Sequence, residues 1–172
     1  MEVVKGPDSI RNQEFTQLVE QYQTTLRRMC YAILRDKELA KDAVQETFLK
    51  AYQAMDAFRG DCSEKTWLTR IAVNTCRDIQ RSAWFRRMKG QIALENLPEP
   101  TVQLEDDHVE LTLAIMRLPQ KLKEVTLLYY YQDMTMREVA DVLGVSLSTV
   151  SKRLDRAHGK LHTLLEGREL HG

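Results

Sequence analysis

The chain has 172 residues, 43% of them hydrophobic and 29% charged, with 25 basic and 25 acidic side chains and a formal net charge of zero. These proportions are those of an ordinary globular protein, long enough for one domain or two small ones. They exclude a uniformly basic or acidic chain, no run approaches the roughly 18 apolar residues of a membrane span, and the opening MEVVKGPDSIRN lacks the apolar stretch of a signal peptide. Cys30, Cys62 and Cys76 are odd in number and form no CxxC, so free thiols in a reducing cytosol are expected.

The zero balance conceals a pattern. Residues 11–90 carry 15 bases against 10 acids, residues 91–111 carry six acids and no base, and residues 112–172 carry nine bases against seven acids. Two basic blocks thus flank an acidic connector. A single block is more often solvated surface, but two in one neutral chain make nucleic acid a partner to test.

Helical periodicity dominates from end to end, with neither strand alternation nor internal repeats, so the chain is expected to be all-α. A first helix over 12–34 places Phe15, Leu18, Tyr22, Leu26, Met29 and Ile33 at helical spacing. The stretch RDKE ends it and leads into a second, through KDAVQETFLKAYQAM, whose Ala40, Val44, Phe48, Ala51 and Met55 share one side. Leu49 projects from the opposite side, among Asp42, Gln45, Glu46 and Gln53. A loop follows around Gly60, and Ser63 is a plausible N-cap for a third helix over 64–82. There Leu68, Ile71, Ala72, Thr75 and Ile79 point one way, while Arg70, Asn74, Arg77 and Arg81 form an opposite stripe suited to a phosphate backbone and a base edge. Phe58 and Trp67, beside the loop, are aromatics able to stack on exposed bases, and WFRRMK at 84–89 adds positive charge.

From about 88 to 107 the chain has two prolines, many acids and little periodicity, and reads as a linker. Helices resume over 108–117, 119–132, 135–143 and 147–165, with Pro119 suited to a first turn. Thr135 with Glu138 makes a capping box, Gly144 falls where a helix must end left-handed, and Ser146 can cap the next helix. Val139, Ala140, Val142, Val150 and Leu154 supply the contact between the two. Together they read as a helix-turn-helix over 136–155, bounded by Met136 and Asp155. Its second helix faces outward with Ser148, Lys152 and Arg156, flanked by Thr149 and Arg153, as a helix seated in the major groove requires. Gly159, costing about 1 kcal/mol relative to Ala, is expected to bend or fray that helix.

Catalytic signatures are missing. There is no Walker-type loop, GxSxG or HExxH, and the His158–His162 pair finds no third metal ligand nearby in sequence, so neither cofactor nor metal is expected.

The segments DAVQETFLKAYQAMDAFRG and TWLTRIAVNTCRD, then an acidic linker, then LPQKLKEVTLLYYYQDMTMREVADVLGVSLSTVSKRLDRA, resemble a bacterial RNA polymerase sigma factor of the extracytoplasmic-function group over residues 12–165. The resemblance implies two small helical domains, region 2 over 11–87 and region 4 over 108–168, joined by a flexible acidic linker over 88–107. It implies that Leu49 is an apolar anchor for the β′ clamp of polymerase, rimmed by Asp42, Gln45, Glu46 and Gln53. It implies that Phe58, Arg59, Trp67, Arg70, Asn74, Arg77 and Arg81 open and read the minus-ten element, one unstacked base lying beside Phe58 and Asn74. Thr69 stands where some relatives carry an aromatic near that base. Within the helix-turn-helix from Met136 to Asp155 and just beyond it, Ser148, Thr149, Lys152, Arg153 and Arg156 would read the minus-thirty-five element. The implied partners are core polymerase through its β′ clamp and β flap, promoter DNA, and an anti-sigma factor. The implied location is the cytoplasm, without membrane insertion but within reach of a membrane-bound anti-sigma partner.

Two other classes compete on the sequence alone. A free-standing helix-turn-helix repressor would need no exposed Leu49 in a polar surround, and a serine recombinase would need alternating strands.

Overall fold

The structure, a computed structural model, describes residues 7–82 and 109–169. Both the linker expected over 88–107 and the basic run at 84–89 lie outside these residues. Seven α-helices occupy the described residues: α1 (Pro7–Leu34), α2 (Lys37–Ala54), α3 (Glu64–Arg81), α4 (Val109–Met116), α5 (Gln120–Thr126), α6 (Met136–Leu143) and α7 (Leu147–Glu169). A short 3-10 turn at Met55–Ala57 continues α2, and a π turn at Leu127–Tyr131 continues α5. No strand occurs among the described residues.

Helices α1, α2 and α3 pack on one another as an N-terminal unit. The break at RDKE has a clear local cause. Arg35 adopts φ 56°, which turns the chain out of α1, and the Asp36 carboxylate then accepts from the Leu39 amide at 3.0 Å to start α2. Ala40, Val44, Phe48 and Ala51 are buried as their spacing requires, with Met55 half-buried at the end of the stripe. Phe15 of α1 sits edge-on to both Phe48 and Tyr52. Arg11 fastens the outer ends of the two helices, donating to the Tyr52 carbonyl at 2.7 Å and to Asp56 at 3.0 Å.

Gly60, at φ 75°, turns the α2–α3 loop, and Ser63 caps α3 by accepting from the Thr66 amide at 3.1 Å. The expected apolar stripe of α3 is present, but Thr66, Thr69, Val73 and Cys76 are buried as well. The stripe is wider because α3 is covered twice, by α1 and α2 within its own unit and by α6 of the second.

In the C-terminal unit α7 is the spine on which α4, α5 and α6 lie. Pro119 stands at the N-cap of α5 rather than inside its first turn. The helix-turn-helix opens with α6 at Met136 as expected, and its second helix runs on past Asp155, the exposed last residue of the motif, as the expected helix over 147–165 does. It continues to Glu169, Ala157 and Leu161 extending the buried stripe. The fraying expected at Gly159 does not break the helix: α7 runs unbroken for 23 residues. Ala157 and Leu161 flank the glycine, and the Thr163 hydroxyl donates to its carbonyl at 3.0 Å, so packing outweighs the entropic cost of one glycine.

The two units touch. Buried apolar residues form one connected cluster from Leu18 to Leu161, and the seam between the units is lined by α1, α3, α5 and α6.

Candidate nucleic-acid and polymerase interfaces

The outer face of α2 is as its periodicity predicts. Asp42, Gln45, Glu46 and Gln53 are exposed, and Leu49 among them is 58% exposed, the most open large hydrophobic side chain described. Beside it runs a shallow groove between α1 and α2, floored by Phe15, Val19, Val44, Phe48 and Tyr52. An apolar knob next to an apolar groove within a polar rim is the anatomy of a protein-binding surface.

The α2–α3 loop brings Phe58 and Trp67 together, their rings stacked at 4.6 Å and 24°. They stack on each other and line a cavity of about 330 Å³ with Glu14, Gln17, Met55 and Glu64. Asn74 is exposed farther along α3 and does not line that cavity. Thr69 is 1% exposed and spends its hydroxyl on the Lys65 carbonyl at 2.6 Å. Arg59 is exposed and Arg70 half-buried, while the exposed Arg81 lies 3.5 Å from Asp78. Arg77 behaves differently. It reaches across the seam and donates through Nε and Nη2 to both carboxylate oxygens of Glu124, at 3.3 and 3.0 Å.

The helix-turn-helix is built as its sequence dictates. Thr135 accepts from the Glu138 amide at 3.2 Å while Glu138 accepts from the Thr135 amide at 2.8 Å, completing the capping box. Gly144 ends α6 at φ 66° and ψ 37°, and Ser146 accepts from the Thr149 amide at 3.1 Å to start α7. Val139, Val142 and Val150 are at most 3% exposed, and Ala140, at 8%, lets the helices approach closely. Ser148, Lys152 and Arg156 are exposed on α7, with Thr149 and Arg153 half-buried beside them. The exposed carboxylate of Asp155 lies next to Arg156 in sequence and is the one acid among these bases. This is a largely basic helical face with short hydroxyls near its N-terminus, free to enter a DNA groove.

His158 accepts or donates to the Tyr130 hydroxyl at 2.5 Å, and His162 faces Glu166 at 3.2 Å. Each histidine of the pair is thus partnered by an ordinary surface neighbour. Cys30 and Cys76 are buried side by side, whereas Cys62 is half-exposed. The hydrogen bond with Cys30, then burial, then the nearby charges push the Cys76 thiol far up, so it stays neutral.

Sequence reasoning missed the pair Lys123 and Glu124, buried at 3% and 2% exposure. Lys123 donates to the carbonyls of Ala32 and Ile33 at 3.1 and 3.3 Å, where α1 ends. Glu124 also accepts from Gln120 at 2.8 Å, and Gln120 in turn accepts from Gln80 of α3 at 2.9 Å. No spacing rule marks such residues, because their burial depends on a neighbour far away in the chain.

Comparison with known proteins agrees with this geometry. The family described as Sigma-70 region 2 matches residues 18–86, and Sigma-70 region 4 matches residues 108–161. The chain is 30% identical to the RNA polymerase sigma-H factor of Pseudomonas aeruginosa, over 88% of this chain and 86% of that one. It is 31% identical to the ECF RNA polymerase sigma factor SigM of Mycobacterium tuberculosis, over 88% of this chain and 76% of that one. A probable sigma factor, RfaY of Xanthomonas campestris, is 32% identical over 89% of this chain, which spans 40% of that protein's length. Among solved structures, CnrH in complex with the cytosolic domain of CnrY superposes with a TM-score of 0.68 at 27% identity, covering 91% of this chain and 90% of that one. The sigma factor RpoE of Bartonella quintana, solved with the anti-sigma factor NepR, shares the fold with a TM-score of 0.75 at 23% identity, over 90% of this chain and 98% of that one. With both regions present, in order, between residues 18 and 161, this protein belongs to the sigma-70 family of RNA polymerase sigma factors, in the extracytoplasmic-function group.

Proposed function

We propose that this chain binds the core of bacterial RNA polymerase, directs it to a specific set of promoters, opens the DNA there and is itself held in check by an anti-sigma factor. The exposed Leu49, with its rim of Asp42, Gln45, Glu46 and Gln53, is the observation that carries this reading, because an apolar side chain on the polar face of α2, beside an apolar groove, suits a protein partner. That partner is the polymerase β′ clamp; the second unit meets the β flap. Residues 11–87 form region 2, residues 88–107 the acidic linker and residues 108–168 region 4. Phe58, Arg59, Trp67, Arg70, Asn74, Arg77 and Arg81 serve the minus-ten element, and Ser148, Thr149, Lys152, Arg153 and Arg156 the minus-thirty-five element. The chain catalyses nothing; polymerase supplies the chemistry and this protein the choice of site.

The regulatory half is suggested by RpoE, which shares this fold and was solved with the anti-sigma factor NepR, and by CnrH, solved with the cytosolic domain of CnrY. The proposed location is the cytoplasm, where core polymerase works. No helix among the described residues is long and apolar enough to cross a membrane.

Run-off transcription with purified core polymerase, on a promoter taken from upstream of the protein's own gene, tests the reading. Wild type is expected to transcribe, and Leu49→Asp to lose at least about tenfold in activity, as removal of a buried hot spot does, with helical content retained. Equal activity returns Leu49 to ordinary surface. Silence from wild type on several promoters, with no polymerase binding, removes the assignment.

A further inference from the structure

We propose that Leu147, Ser151 and Asp155 form a second base-reading row on α7, in which Leu147 selects a thymine by its methyl group and Asp155 a cytosine by its amino group. This rests on the function proposed above for the helix-turn-helix, and adds which side of the helix reads and which bases it prefers.

Along α7 the outward residues fall into rows four residues apart. Ser148, Lys152 and Arg156 make the central row, with Thr149 and Arg153 on one side and Leu147, Ser151 and Asp155 on the other. The structure treats the two sides unequally. Thr149 and Arg153 are half-buried, and the Thr149 hydroxyl lies 2.8 Å from that of Ser146. Leu147, Ser151 and Asp155 are all exposed, Leu147 at 48%. The open surface beside the central row is therefore on the Leu147 side.

The chemistry of this row does not suit the DNA backbone. Phosphates are met by cations, hydroxyls and amides; a leucine offers them nothing, and a carboxylate repels them. A single exposed leucine is ordinary on a protein surface. Of the large hydrophobic side chains exposed among the described residues, however, Leu147 alone lies in the helix-turn-helix. It follows the Ser146 cap directly, at the helix end whose residues meet base edges when such a helix is seated in the major groove. Asp155 stands among Lys152, Arg153 and Arg156, yet its carboxylate joins none of the ion pairs or side-chain hydrogen bonds of the described residues. An unpaired acid in that place weakens binding to every DNA site, and weakens it least where a base offers a donor. It lowers affinity in general and raises discrimination.

Major-groove edges supply the complementary groups. Thymine presents a methyl group, which an apolar side chain covers, and cytosine an amino group, from which a carboxylate accepts. Ser151, between the two, can both donate and accept, and so fits more than one base. Leu147 and Asp155 are about 12 Å apart along the helix axis, which sets their two bases within about four base pairs of each other.

The test uses the full chain assembled with bacterial core polymerase and a pool of promoter duplexes randomised across the minus-thirty-five element. Sequencing of the bound fraction is expected to show, for wild type, a thymine and a cytosine at two positions within that span. Leu147→Ala is expected to erase the thymine preference alone. Asp155→Ala is expected to reduce the cytosine preference alone, from about tenfold to under about twofold. Glu166→Ala, exposed farther along α7, leaves both preferences in place. Replacing the preferred thymine by uracil, which lacks only the methyl group, is expected to weaken wild-type binding about fourfold and to leave Leu147→Ala unaffected. Binding weakened equally at all sequences, with the preferences intact, overturns the row, and so does a response to uracil that Leu147→Ala shares with wild type. If wild type binds polymerase but selects no sequence across the element, the reading of the helix-turn-helix falls and the row with it. Selection with preferences that neither variant moves overturns the row alone.

Discussion

The joint between α6 and α7 and the seam between the two units are both helix contacts, but only the first is free of charge. At the joint, Val139, Val142, Val150 and Leu154 meet without a charge, and a capping box, a left-handed glycine and a serine cap fix the angle. At the seam, an arginine, a glutamate, a lysine and two glutamines are set into an apolar contact that runs from one unit to the other. Apolar contact with satisfied helix ends rests on packing alone; a buried charge adds the need for a particular partner, since loss of one leaves the other uncompensated. The helix-turn-helix is thus held by local packing, while its contact with the N-terminal unit depends on residues far apart in the chain.

The contrast can be broken most forcefully at the joint. Val150 is fully buried where α6 crosses α7, so Val150→Asp is expected to cost about 3–5 kcal/mol. Urea unfolding followed by circular dichroism would show it; a loss under about 1 kcal/mol would mean that the joint is not a packed core. A milder blow is Gly144→Ala. A Cβ there meets nothing within 4 Å, so the whole effect is backbone strain at φ 66°, expected near 1 kcal/mol, with Gly144→Asn costing less. Equal stability of Gly144→Ala and wild type would contradict the left-handed cap. Smallest of all is the change at the seam. Lys123→Met removes the desolvation cost of a buried charge but leaves the Ala32 and Ile33 carbonyls without that donor, two effects that oppose each other, and is expected to leave stability within about 1 kcal/mol of wild type. A much larger loss in the same urea experiment would show that the missing donor outweighs the relief of desolvation.

Legibility in the sequence divides along the same line. Helices, caps and the helix-turn-helix depend on residues three or four apart, and Thr135, Glu138, Gly144 and Ser146 act where their spacing says they act. The outward faces of α2 and α7 were equally legible, because a polar face needs no distant partner to be polar. The seam was not. Lys123 and Glu124 look like the solvated side of α5 until α1 and α3 cover them, and Arg77 looks like its neighbours Arg70 and Arg81 until Glu124 takes it. Phe58 and Trp67 were readable as a pair of aromatics near a loop, but not as partners stacked on each other. Gly159 misleads in the other direction, since a local propensity was overruled by the burial of Ala157 and Leu161. Asp155 ends the motif but not its helix, as the spacing over 147–165 predicts, because α7 is held by packing that extends past it.

The π turn after α5 governs a different property, the direction in which everything beyond it points. The Gln132 amide donates to the Leu127 carbonyl at 3.1 Å, closing a loop one residue wider than an α-helical turn. Each added residue rotates the chain beyond it by about 100°. Leu127 and Leu128 consequently stay inside, while the adjacent Tyr130 and Tyr131 diverge, one to His158 on α7 and the other to Thr112 on α4. Chain length at this point is therefore an angular setting for α6 and α7: one residue fewer would leave both helices intact and aim them at a different place.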